Sequence, residues 1–435
     1  MKLRTYLYLL IVAFDAFSGA FVSMVMPGAD RIVRVLTFGG DALVLVIAGA
    51  SLLRNRTFYG VRFFVLFCFI STLTFLYNSE KVGIMTHLNG LREPLFFFST
   101  LIIAYDVMQS YQRETFVKWF TWFLIILAAS QLPLVLYQFF KFGAGDYVGG
   151  TYGTGGGSGL ITRLLFLITF YLITRFGSPD DGETFGVTKV FLFSALLIPC
   201  ALNETKVAFL FLAAFIVLLT LSRKKAYKAI PFLVLGLTLI FLLDYYYSAT
   251  AEDTREVFTL DHLEKYLYSN PTSAGGDLPR FQRMPIMFRI IGNDIGNMLL
   301  GVGYGLFQGG NILGMSRLAR SVAYLTGSRM MLFSLWFQGG LLAVLVVAGT
   351  MFWFMGSRLI SYHTIKRLKW FIFLQLILVW VYDEAIWDRV FASAVTFLMI
   401  WTSNGGVRGE HTDTAEGGEE AEEESETVIP EKQEE

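Results

Sequence analysis

The side chains in this sequence best suited to chemistry are a few bases and carboxylates set between long apolar runs. Arg280 and Arg283 stand at i and i+3, on one face of a helix that Pro279 would open and Asp277 would cap. Pro285 is expected to break or kink that helix, which limits the shared face. Planar guanidinium forks make bidentate, charge-assisted bonds to phosphate oxygens, so two on one face match a diphosphate. Anchoring at lipid headgroups, or ion pairs with Asp277 or Asp294, is the competing reading. Asn203-Glu-Thr-Lys206 places a carboxylate and an ammonium in a turn between two apolar stretches. A charge at the centre of a lipid-exposed helix costs roughly 2.5–3.5 kcal/mol, so such groups face a bundle interior or an aqueous cavity.

With Arg92 and Arg163, the residues Lys206, Arg280 and Arg283 make a set of cations able to line one basic cleft. Glu204 and Asp277, with Asp261 and Glu264 behind them, are the carboxylates placed to take a proton from a hydroxyl group. Cys68 and Cys200 are far apart, so neither a disulfide framework nor a Cys-rich metal site is visible. The run Gly301-Val-Gly-Tyr-Gly305 has no strand before it and no Lys-Ser/Thr after it, which excludes a nucleotide loop. It reads as a tight turn permitting close backbone approach, or as amides lining an anion site.

The elements that must position these groups are membrane helices. Of the residues, 54% are apolar, and they fall in long blocks rather than in alternation. The sequence predicts an all-α, polytopic bundle of about twelve spans, at about 20 residues per crossing. Residues 1–246 hold spans one to nine, 247–330 an external loop subdomain, 331–403 spans ten to twelve, and 404–435 a tail. The Lys/Arg clusters at Arg54/Arg56/Arg62, Arg113/Lys118, Arg223–Lys228 and Arg358–Lys369 are separated by even numbers of spans, so all can be cytoplasmic together, with both termini. Arg31 and Arg34 are outward exceptions. The tail, crowded with Glu419, Glu420, Glu422, Glu423, Glu424 and Glu426, is expected to be a disordered solvating or partner-docking appendage. The chain calls for membrane lipids as partners and shows no sign of nucleic-acid binding.

The Arg-x-x-Arg segment at Arg280 and Arg283, then Leu300-Gly-Val-Gly-Tyr-Gly-Leu-Phe307, then Trp336-Phe-Gln-Gly-Gly-Leu-Leu342, together resemble the bacterial O-antigen polymerase and ligase superfamily. Leu88-Asn-Gly-Leu-Arg92, Gly150-Thr-Tyr-Gly153 and Asn203-Glu-Thr-Lys206 fall in that family's order. The resemblance implies a glycosyltransferase of the bacterial inner membrane acting on an undecaprenyl-diphosphate-linked glycan, without cofactor or metal. Its diphosphate would sit on Arg92, Arg163, Lys206, Arg280 and Arg283, and a chain-length regulator or flippase would be its partner. Fixed cations would stabilise the departing diphosphate.

Ligases of this group carry a His shortly before the Gly-centred span. Here Ser328-Arg329 occupies that place, and the histidines are His87, His262, His363 and His411. A polymerase is therefore favoured over a ligase. A secondary transporter or lipid flippase is the rival from another class, because Asp15 and Asp41 lie near the middle of spans one and two. Such groups relay protons or bind ions, or else make an interhelical hydrogen bond or pair with an Arg. The topology predicts that thiol labelling finds positions near Gly155, Thr205 and Ser273 outside and positions near Lys225 and Lys366 inside; labelling of Gly155 and Lys225 from one side contradicts it.

Overall fold

The computed structural model describes residues 2–143, 147–154, 157–176, 192–202, 207–220, 282–307, 325, 330–357 and 363–403. The described residues form 13 α-helices and no sheet. In chain order these are α1 (Lys2–Ala20, continued by a π-helical turn Phe21–Val25), α2 (Asp30–Arg54), α3 (Tyr59–Tyr77), α4 (Ile84–Met108), α5 (Arg113–Phe142) and α6 (Ser158–Phe176). There follow α7 (Ile198–Leu202), α8 (Val207–Thr220), α9 (Arg283–Ile291), α10 (Ile295–Leu300), α11 (Met331–Gly356), α12 (His363–Tyr382) and α13 (Arg389–Ser403).

Six helices are long and apolar enough to cross a membrane: α1 with its π turn, α2, α3, α5, α6 and α11. The protein is thus read as a multi-pass membrane protein. Helices α4 and α12 have 25 and 20 residues, with Arg92 and Glu93 inside the first and Lys366, Arg367 and Lys369 near the start of the second, and α13 has 15 residues. The expected ninth span, the tail and most of the external subdomain lie outside the described residues.

Helices α4, α6 and α13 form the centre. From Phe96 to Ile103, and again from Ile161 to Ile173, nearly every side chain is buried, the pattern of a helix enclosed on all sides. By contrast α1, α2 and α3 expose Leu10, Val46 and Phe69 outward, as lipid-facing helices do. Stacked rings join the layers, Phe120 on Phe397 at 4.2 Å and Phe170 on Phe371 at 4.5 Å.

The connections that the charge pattern assigns to one side gather at one end of this bundle. There Asp106 accepts from Ser51 (2.9 Å) and Asn55 (2.7 Å) with Arg54 at 3.6 Å, and Lys369 donates to Ser357 at 2.8 Å. The segments assigned to the other side, 78–93, 149–153, 301–307 and 383–388, meet at the opposite end.

Two prolines lie within helices, one of them against the expectation. Pro285 lies in the first turn of α9, where its missing N–H is not needed, so it opens that helix rather than breaking it. Pro94 lies inside α4, which runs on toward its N-terminus to Ile84 and makes Arg92 and Glu93 helical.

The decisive irregularity is in α11, where Gly340 takes φ 73°. A side chain there is strained, and an added Cβ would meet the Leu299 carbonyl oxygen at 2.1 Å. The break frees carbonyls that an intact helix would satisfy. Val302 N–H donates to Phe337 O (2.9 Å) and Gly303 N–H to Gln338 O (3.0 Å), so the glycine run completes the broken helix. Such completion is what a bilayer demands of interrupted helices. Asn78 and Thr74 at the end of α3 hold the same run by donating to Gly301 O (3.0 Å) and Leu300 O (2.8 Å). Gly340→Ala should cost at least ~2 kcal/mol through the left-handed backbone and the clash, whereas Gly39→Ala, with open space around it, should be neutral or gain about 0.5–1 kcal/mol. Thermal unfolding in detergent reads both, and equal stabilities would refute the role given to the break.

Candidate functional site

At the end where α1, α2, α4 and α13 meet, one buried carboxylate collects two guanidinium groups. Arg389, the first residue of α13, donates Nε (2.6 Å) and Nη2 (2.9 Å) to the two oxygens of Asp41 on α2. Arg92 of α4 brings its Nε to 3.0 Å from the same carboxylate and lies over the Phe38 ring at 3.9 Å. Asp41 is 3% exposed, and both arginine side chains are 19% exposed. Asp15 of α1 stands 3.9 Å from Arg389 and accepts from Thr37 at 3.4 Å. The pairing with arginine is thus what Asp15 and Asp41 do here, and it ties four helices together.

The connection Tyr382-Asp-Glu-Ala-Ile-Trp-Asp-Arg389 carries the rest of the polar machinery. It leaves helical geometry between α12 and α13 except for a 3-10 turn at Ala385–Trp387. Asp388 accepts from Phe391 N–H at 2.8 Å, which caps the start of α13. The same oxygen accepts from the Tyr152 hydroxyl at 2.7 Å. Burial holds the Asp388 carboxyl above its ordinary range. Burial and then the Asp388 charge push the Tyr152 phenol upward, so Tyr152 is a donor at neutral pH. Asp383 forms an ion pair with Arg163, a fully buried side chain of α6, and its carbonyl accepts from Met331 N–H at 2.8 Å.

Tyr152 is delivered by the glycine-rich segment. Two glutamines of α5, seven residues apart and so on one face, grip its backbone. Gln138 Oε1 accepts from Gly150 N–H (2.6 Å) while its Nε2 donates to Gly150 O (2.9 Å). Gln131 bonds the Thr151 N–H (3.0 Å) and hydroxyl (2.9 Å). Gly153 (φ 84°) packs against Gly19 of α1, where a Cβ would come within 2.6 Å of the Gly19 oxygen.

Between the ion network and the break in α11 lies a cleft with walls that include Glu93, Glu384, Tyr304, Gln338 and Trp387. Its cavity volume is about 20 Å³, enough for one water or one hydroxyl group. Glu93 lies within electrostatic reach of both Arg92 and Arg389.

Of the expected diphosphate ligands, Arg92 and Arg163 come to this end of the bundle, each already matched by a carboxylate that the sequence reading did not assign to it. Arg283 is buried at the start of α9 and donates at 3.3 Å to the carbonyl of Leu325, a member of a separate apolar cluster with Val82, Met287, Ile291 and Phe333. Lys206 and Arg280, and the expected catalytic carboxylates Glu204 and Asp277, lie outside the described residues. The glycine run offers little to an anion, since four of its amides are taken: Gly301 by Asn297 O at 2.8 Å, Val302 and Gly303 by the α11 carbonyls, and Gly305 by Gln338 Oε1 at 2.9 Å. Among the described residues no group of three or more His, Cys, Asp or Glu is placed to hold a metal ion.

Sequence reasoning passed over Glu93, Glu384, Asp388 and Arg389. The signal was present, because Asp383, Glu384, Asp388 and Arg389 put four ionisable residues into one short link between two apolar runs. No family model matches the chain, and no curated protein matches it.

Proposed function

We propose that the protein is a polysaccharide polymerase of the bacterial inner membrane, joining undecaprenyl-diphosphate-linked repeat units on the outer face. In this reading the chain crosses the membrane twelve times with both termini in the cytoplasm. The observation that carries it is the convergence of segments 78–93, 301–307 and 383–388 on one cleft that combines carboxylates with neighbouring guanidinium groups, with segment 149–153 joined to the last of them through Tyr152 and Asp388. Glycosyl transfer from a lipid diphosphate needs both. A carboxylate relieves the attacking hydroxyl of its proton, and fixed cations receive the charge left on the diphosphate. Trp387 adds an aromatic wall of the kind that stacks on the apolar face of a sugar ring.

A membrane transporter is the second reading. It draws on Asp15, Asp41, Arg92 and Arg389 as a buried ionisable set within spanning helices, and on the interrupted helix at Gly340.

One assay separates them. Purified protein in lipid, given an undecaprenyl-diphosphate-linked repeat unit as sole substrate, should produce a ladder of longer lipid-linked chains without ATP or added metal, because donor and acceptor are the same species. A ligase would leave the unit unextended until given another acceptor. Movement of the unit between leaflets with its length unchanged would replace the polymerase reading with the transporter one.

A further inference from the structure

Resting on the polymerase reading, we infer that Glu93 is the general base of the transfer and that Glu384 positions the acceptor hydroxyl for it, in the cleft below the arginine pair. Four observations lead there. Glu93 and Glu384 line one cleft from different elements, α4 and the link before α13. The cavity between the walls, about 20 Å³, matches a single hydroxyl group, so the ring that bears it would lie in the open mouth beside Trp387. Tyr304, a residue only 2% exposed, lines the same cleft, and its hydroxyl faces Ser71. Finally, Glu93 follows Arg92 in sequence and feels the charge of Arg389, so it stands where the acceptor pocket meets the cations suited to the leaving group.

The step balances as follows. The acceptor oxygen forms a bond to the anomeric carbon of the donor sugar, and its proton passes to the Glu93 carboxylate. The bond from the anomeric carbon to the diphosphate oxygen breaks, and its electron pair leaves on the diphosphate. The carboxylate returns its proton to water before the next cycle.

The test compares the full-length wild type, Glu93→Gln, Glu93→Asp and Glu384→Gln, each in lipid, by single-turnover chain extension across pH and by binding of the lipid-linked repeat unit. A base that must be ionised gives a rate that rises with pH through the carboxylate range. Glu93→Gln should slow extension at least ~100-fold, bind the lipid-linked unit within about threefold of wild type, and lose the rising limb. Glu93→Asp should be slower but keep that limb. Glu384→Gln should weaken substrate use while keeping it too. If wild type extends chains and Glu93→Gln does so within tenfold with the limb intact, the assignment fails and the polymerase reading survives. If wild type extends nothing, both fail. Should Glu93→Gln not bind the substrate, Glu93→Asp decides: binding retained with extension slowed at least tenfold supports the base, and an unslowed variant overturns it.

Discussion

The Asp41 carboxylate, buried and bound by guanidinium groups from two other helices, is the interaction on which the rest of this structure depends. Removing an ion from water costs several kcal/mol even after relaxation, and the cost is recovered only with good geometry and further hydrogen bonds. Here the fork of Arg389 satisfies both oxygens at once, and Arg92 reaches the same carboxylate. Arg389 sits 348 positions along the chain from Asp41, so the contact closes the bundle end to end. It also fixes where α13 begins. That in turn sets Asp388 for Tyr152, Asp383 for Arg163, and Glu384 against the cleft. A purely apolar contact would hold the helices together without specifying that register.

The break in α11 is the second constraint, and it works with the first. An unbroken helix through Gly340 would need no help from the glycine run, and the amides of Val302 and Gly303 would lose their α11 acceptors. With the break, Gln338 is fastened at both ends of its amide, to Gly305 and to Ser334. One wall of the cleft is therefore built from backbone completion and the other from ion pairing. Rigid walls of this sort are what positioning a hydroxyl against a carboxylate requires.

The coarse fold was legible because its signals are local. Apolar blocks mark helices, and the glycine run was readable as a site of close backbone approach. Asp15 and Asp41 could be picked out as ionisable groups within spans because a charge there demands a partner. Their partner could not be named, since nothing local connects Asp41 to Arg389. The short final spans also hid the link between them, where Asp383 and Asp388 turned out to bind Arg163 and Tyr152. Glu93 was missed because a proline directly after it is an ordinary sign of a helix start, whereas the helix begins at Ile84 and carries Glu93 on a rigid element. Arg92 and Arg163 were read as cations of one cleft, and the carboxylates matched to them depend on tertiary contacts that no local signal gives.

The central claim, that the Asp41 clamp organises the site, is tested most directly by a double-mutant cycle of Asp41→Ala and Arg389→Ala, read as unfolding free energy in a mixed-detergent titration. Arg389→Ala leaves Asp41 with Arg92 alone and Asp41→Ala leaves Arg389 with only the more distant Asp15, so each single change should cost about 3 kcal/mol. The double variant should cost less than the sum of the two by about 1–3 kcal/mol. Single costs below about 1 kcal/mol that simply add would contradict it.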